Sequence, residues 1–290
     1  MSVLSLSLKN HLRLIRKYPF VTTLIGLICI IILIFSRNAH DMVHGIAYIF
    51  AMWLCCFVTD ITVTAFPKPA VGFPIKKPVK KETTIILLSV ILAAIGLAIR
   101  FFSKDWQHVT APVKLTVLLL FLFIFPIALA IIYLFVYKYK PRELGLNFHY
   151  WYLPIFIHII VGVTTLLVVP ESSHWQAMYL EMGVLDMLFT GIISAALSEE
   201  FLRMLMQTRF GAALRNPALG FVLASMVWAL MHVPNFGQDF RKDGIWPAIL
   251  AAIHIMPVGF MWGYLTFRTK SLFSAVMVHG FNLWGLQNFM

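Results

Sequence analysis

The chain has 290 residues, 60% of them hydrophobic and only 12% charged, with a formal net charge of +11. A soluble domain carries about a quarter charged residues, so this composition excludes a soluble globular protein and points to one solvated by lipid. The apolar runs are continuous and lack the short alternating pattern of a membrane barrel, which makes the spans helical.

In chain order, runs long enough to cross a bilayer at roughly 20 residues each are expected at 19–36, 43–60, 84–103, 115–137, 151–169, 180–206, 217–233, 245–267 and 272–289. The fold class is therefore all-α, a polytopic transmembrane helical bundle of about 8–9 spans. Lys9, Arg13, Arg16 and Lys17 precede the first run, which is followed by Arg37 and lacks a small-residue cleavage site, so it reads as a retained span. The stretch TAFPKPAVGFPIKKPVKKE (64–82) holds four prolines and five lysines and reads as an irregular surface loop. It divides an N-terminal transmembrane hairpin with a basic cytoplasmic loop, residues 1–83, from a helical core, residues 84–290.

Sixteen Lys and Arg residues fall on the side of the N-terminus and six on the other. The positive-inside rule then puts the N-terminus in the cytoplasm of a multi-pass protein, with a bacterial-type plasma membrane as the expected location. Basic loops facing anionic lipid account for the net charge, and no basic patch interleaved with aromatics calls for a nucleic acid. Cys29, Cys55 and Cys56 lie in apolar runs without metal-ligand spacing and read as small hydrophobes.

Ionisable groups inside apolar spans are costly and point to function. In MLFTGIISAALSEEFLRMLM, Glu199 and Glu200 stand four and three residues before Arg203, so one guanidinium can reach both carboxylates on a helix. Two adjacent carboxylates in a low dielectric resist ionising together, which suits one of them to general-base work. An ion-pair staple is the simpler account, but a staple needs only one acid. Trp228 precedes His232 by one turn, and His279 precedes Asn282 by three residues beside Gly280. Taken singly, each histidine is as well explained by core packing or by hydrogen bonding between helices. His254 has no polar companion at helical spacing, and Asp186 lies near the start of its span. Two acids, a histidine, then a histidine with an asparagine, on three helices, make a hydrolytic set with a base for water and donors for an oxyanion. No Ser–His–Asp arrangement, HExxH helix, P-loop or GxGxxG accompanies them.

These motifs resemble those of the CAAX protease and bacteriocin-processing family of intramembrane endopeptidases, which includes the Ras-converting enzymes. The family pattern is EExxxR, then FxxxH, then HxxxN or HxxxD. The likeness runs over about 138–290 and includes KPRELGLN, from Lys140 to Asn147, and GYLTFRTKSLFSAVMVHGFN, ending at Asn282. Trp228 stands where the family has Phe. Arg203 comes one residue early, so the two family glutamates fall on Glu199 and Glu200 if the acids set the register, or on Ser198 and Glu199 if Arg203 and Gln207 do. Glu199 is acidic in both. Asn282 is also one residue early, with Leu283 at the family position. One residue turns a helix by about 100°, so a local helix distortion would be needed to absorb each offset.

The resemblance implies an intramembrane endopeptidase acting on a membrane-associated or lipidated peptide or a membrane-anchored protein. Glu199, assisted by Glu200, would activate water, Arg203 would orient the carboxylates, and His232, His279 and Asn282 would stabilise the oxyanion. A zinc mechanism is the other possibility, with Glu200, His232 and His279 as ligands. The offsets give weight to a second class, a catalytically inactive scaffold or immunity-type protein of the same fold. A proton-coupled transporter ranks third, because the chain shows no repeated halves.

Overall fold

The computed structural model describes residues 2–36, 38–68, 72–102, 125–168, 183, 185, 188–233 and 244–282. All regular structure among these residues is helical. α1 (Val3–Lys17) opens on Ser2, whose side chain accepts the Ser5 N–H, and closes with Arg16 and Lys17 in its last turn; both ends suit the helix dipole and its orphan groups. α2 (Pro19–Ile34) follows at 96° to α1. The break falls at Tyr18, which is non-helical and precedes Pro19, where the proline ring disfavours the α conformation. α3 (Ala39–Ala65) is capped by the Asn38 side chain and carries Asp41 in its first turn.

Beyond the loop come α4 (Val79–Phe102) and α5 (Phe125–Ile131), which continues as a π-helical turn over Ile132–Val136. After a 3-10 turn at Pro141–Leu144 comes α6 (Leu153–Val168). A π-helical run, Leu188–Leu197, leads directly into α7 (Ser198–Ala213). α8 (Pro217–Leu230) starts where Asn216 caps the Leu219 N–H and proline takes the first position. α9 (Trp246–His254) and α10 (Met256–Thr269) form one apolar stretch broken at Ile255, two residues before Pro257, which removes a helical hydrogen bond. α11 (Phe273–Asn282) completes the described chain.

α3 and the joined α9–α10 stretch, 27 and 24 residues, are each long and apolar enough to cross a bilayer, and α1 with α2 adds a third if the bent pair is one span. The eight or nine spans expected from hydropathy are not all met among the described residues. α8 has 14 residues; at 1.5 Å per residue it reaches about 21 Å, short of a ~30 Å hydrocarbon core. The expected spans at 84–103, 115–137, 151–169, 180–206 and 272–289 lie in part outside the described residues.

The chain divides into two compact units, Met1–Phe73 with Pro141–Glu200 and Phe260–Met290, and Pro74–Lys140 with Phe201–Gly259. In the first unit α3 packs on α6, α1 and α2, while α11 packs on the π-helical run and on α6. Ala51, Cys55, Leu153 and Ile157 are fully buried there, and Cys55 serves as the small hydrophobe expected of it. Asp60, also fully buried, accepts hydrogen bonds from His11 Nδ1 (2.7 Å), Tyr264 Oη (2.7 Å) and Arg268 Nε, tying α1, α3 and α10 together.

In the second unit α8 packs on α9. α7 and α8 meet glycine to glycine, since a Cβ on Gly220 would overlap the backbone of Gly211. The fully buried carboxylate of Glu82 pairs with Arg209 Nε at 2.9 Å and accepts from Tyr139 Oη and the Lys77 N–H. Arg209, one of the sixteen cations expected on the side of the N-terminus, is thus a buried structural residue whose guanidinium also lies over the rings of Tyr133 and Tyr139.

Candidate active site

Glu199 and Glu200 occupy the first turn of α7, immediately after the π-helical run. π-helical insertions recur at functional sites. The distortion lies before the acids; from Ser198 to Ala213 the helix is regular α, so the Glu–Glu–Arg spacing is not altered by it.

His279 enters from α11. Its Nδ1 lies 2.8 Å from Glu200 Oε1, and its Nε2 lies 3.8 Å from Glu199 Oε2. The first is a hydrogen bond that holds a proton between carboxylate and imidazole. The second is too long for one, and a water hydrogen-bonded to both atoms would sit beside the line joining them. The acids differ in access: the Glu200 side chain is 1% exposed and that of Glu199 31%. The indole of Trp262, on α10, stacks on the imidazole at 3.8 Å between centroids and 14° between planes.

Close packing brings α11 to this position. A Cβ on Gly280 would stand 2.7 Å from Ile192 Cγ1 and 3.1 Å from Ile192 Cα, so only glycine lets α11 lie this near the π-helical run. The turn before α11 is fastened to the segment Pro141–Asn147: the Leu272 N–H donates to the Gly145 carbonyl, Asn147 Nδ2 to the Lys270 carbonyl, and Ser271 Oγ to the Asn147 carbonyl. Gly145 has φ +74, with Phe73 and Leu272 against it. In the same turn burial, reinforced by the Arg268 charge, pushes the Lys270 ammonium down to about 8.

The second unit holds the other motif residues. Arg203 Nη1 donates to the Gly259 carbonyl at 2.8 Å, and its guanidinium lies 5.3 Å from the centroid of the Trp228 ring. Ser225 Oγ donates to the same carbonyl. A Cβ on Gly259 would stand 2.8 Å from Trp228 Cε3, so the indole rests on bare backbone. His232 packs against that indole, with centroids 4.6 Å apart, and its Nδ1–H donates to the Trp228 carbonyl at 2.9 Å. A carbonyl only accepts, so this bond places a proton on Nδ1 and leaves Nε2 facing away from it.

Asn282 ends α11, and its side chain lies outside the described residues, as do Leu283 and Asp186. Ser198 Oγ donates to the Ala195 carbonyl. His254 ends α9 and is half-buried. Among the described residues no group of three or more His, Cys, Asp or Glu side chains is arranged to hold a metal ion. Sequence reasoning did not single out Trp262 or Gly259, because what makes them matter is contact with residues distant in the chain. It also passed over Asp60, although an acid within an apolar run was a signal it could have used.

No curated protein and no solved structure matches the chain. A family model does, over a narrower range than the motifs suggested, leaving out the Lys140–Asn147 segment and everything before residue 181. The segment that carries all three motifs, residues 181–284, matches the family described as Type II CAAX prenyl endopeptidase Rce1-like.

Proposed function

We propose that this integral membrane protein is an endopeptidase that hydrolyses a peptide bond of a membrane-associated or lipidated peptide with a glutamate-activated water. The observation that supports it best is His279 held between two carboxylates, hydrogen-bonded to the buried Glu200 and 3.8 Å from the more accessible Glu199. A water between Glu199 and His279 Nε2 gives up a proton to the carboxylate as its oxygen attacks the scissile carbonyl carbon. Glu199 returns that proton to the departing amide nitrogen, which becomes the new amine. Glu200 keeps the imidazole oriented by holding Nδ1. Asn282 donates to the oxyanion, a role worth about 3–4 kcal/mol per donor, and His232 joins it as the imidazolium, donating from Nε2–H while Nδ1–H stays on the Trp228 carbonyl. Arg203, braced by Trp228 and the Gly259 carbonyl, orients the acid turn. No step is routed through a metal.

The test is cleavage of farnesylated and unmodified CAAX-type reporter peptides by the protein reconstituted in liposomes, read by mass spectrometry. Wild type is expected to cut the farnesylated peptide, and Glu199→Gln to lose roughly 10²- to 10⁴-fold in kcat, the usual contribution of a general base. Equal cleavage by both proteins sinks the assignment of the base. If wild type cleaves nothing while Glu199→Gln still supports the cellular role, the chain is a scaffold. Elemental analysis of the same sample decides on zinc: a stoichiometric ion lost in His232→Ala replaces the glutamate mechanism by a metal one.

A further inference from the structure

α1 carries three faces. Successive helical residues advance by about 100°. Leu4, Leu8, Leu12 and Ile15 therefore share a sector about 80° wide, and Lys9, Arg13 and Arg16 share the adjoining one. Ser7 and His11 occupy a third. It is this polar third face that is buried: Ser7 Oγ donates to the Asp60 carbonyl, and His11 Nδ1–H donates to the Asp60 carboxylate while its Nε2 accepts from Trp53 Nε1. The leucines, Ile15 and the three cations are all exposed. A helix docked on its protein through polar groups while four large aliphatic side chains face outward is built for a medium other than water. Ser5, Leu8, Lys9, Leu12, Arg13 and Arg16 line a surface groove on this outer side. α2, wholly apolar apart from two threonines and one glycine, leaves α1 at 96°, so α1 lies along the membrane surface when α2 enters the bilayer.

We propose that α1 is an interfacial helix whose outer groove seats an anionic phospholipid, the phosphate held by Lys9, Arg13 and Arg16 and an acyl chain laid along Leu8 and Leu12. Charge complementarity selects this occupant. Two arginine forks and an ammonium meet a phosphate, and the adjoining leucines meet a hydrocarbon chain. The site does not depend on the endopeptidase reading and is tested without a cleavage assay.

The full chain in neutral detergent is titrated with dioleoylphosphatidylglycerol or dioleoylphosphatidylcholine, with bound lipid read by native mass spectrometry. The anionic lipid is expected to bind more tightly, and Lys9→Gln/Arg13→Gln/Arg16→Gln to weaken it roughly 100-fold, at about fivefold per cation. Arg13→Lys/Arg16→Lys keeps the charge and is expected to keep most of the affinity, and Arg142→Gln, on an exposed turn elsewhere, all of it. Equal binding of the two lipids, or unchanged binding by the triple variant, overturns the proposal. So does full competition by glycerol phosphate, which has the charge and no chain. A wild-type dimer that the triple variant abolishes would assign the groove to a second copy instead.

Discussion

His279 is held by three contacts of different kinds: a hydrogen bond to Glu200, a longer approach to Glu199, and the face of Trp262. The stack fixes the plane of the imidazole, and the plane decides where both nitrogens point. Trp262 is a positioning residue in this arrangement. Replacing it with alanine is expected to cost about 3–5 kcal/mol of stability, as for any fully buried aromatic, and also to lower kcat about tenfold, the upper range for loss of an aromatic pair. Trp262→Phe should recover most of both. A rise in KM with kcat unchanged, measured on the reporter peptide, would assign the indole to substrate binding instead. The acids and His279 were legible in the sequence, because charges and imidazoles within apolar runs need partners. Their pairing was not, since nothing in the spacing shows that the ring meets Glu200 at hydrogen-bond distance and Glu199 at a longer one. Arg203 was legible as a buried cation, whereas its contacts with Trp228 and Gly259 depend on how helices cross.

At the scale of elements, α11 brings His279 to the acids only because Gly280 lets it approach the π-helical run. Gly280→Ala places a Cβ against Ile192, and α11 has to shift by a few tenths of an ångström. Overpacking of this kind costs about 1–3 kcal/mol. Thermal unfolding should show that loss, with a drop in cleavage beyond what the unfolded fraction explains. Adding Ile192→Ala removes the nearer clash and should restore part of the activity, though the Ile192 Cα remains close. An activity equal to wild type in Gly280→Ala would show that the helix spacing has slack. Hydropathy located α3 and the α9–α10 stretch well, because both are long and uniformly apolar. It counted α8 as a span although its helix is short, and it took the cations of α1 for simple flanking charge. The amphipathic face of α1 escaped notice because its buried side is the polar one.

Each unit of the whole molecule is tied by one fully buried carboxylate to residues far away in the chain. Asp60 joins Tyr264 and Arg268, 204 and 208 residues on, and Glu82 joins Arg209, 127 residues on. Removing one member of a buried pair leaves a charge without compensation, at about 3–5 kcal/mol. Asp60→Asn and Glu82→Gln are each expected to lower the thermal midpoint in detergent substantially. The loss should be nearly the same at low and high salt, because buried pairs are little screened. A loss that disappears at high salt would mean that the groups are solvated. The sequence offered Asp60 at the end of an expected span and Glu82 at the end of a loop, where both pass for interfacial charges. Only the long-range contacts reveal them as anchors. The π-helical run bears on how this chain is compared with others. Each π turn takes in about one residue more than an α turn, so a one-residue insertion can be absorbed there without rotating the downstream helix. Spacings measured across Leu188–Leu197 therefore need a gap when set against a purely α-helical relative, while those inside Ser198–Ala213 do not. The mismatch between the acid pair and Arg203 belongs to the second group: no gap upstream changes it, and the register only decides whether it falls on the arginine or on Ser198 at the first acid position.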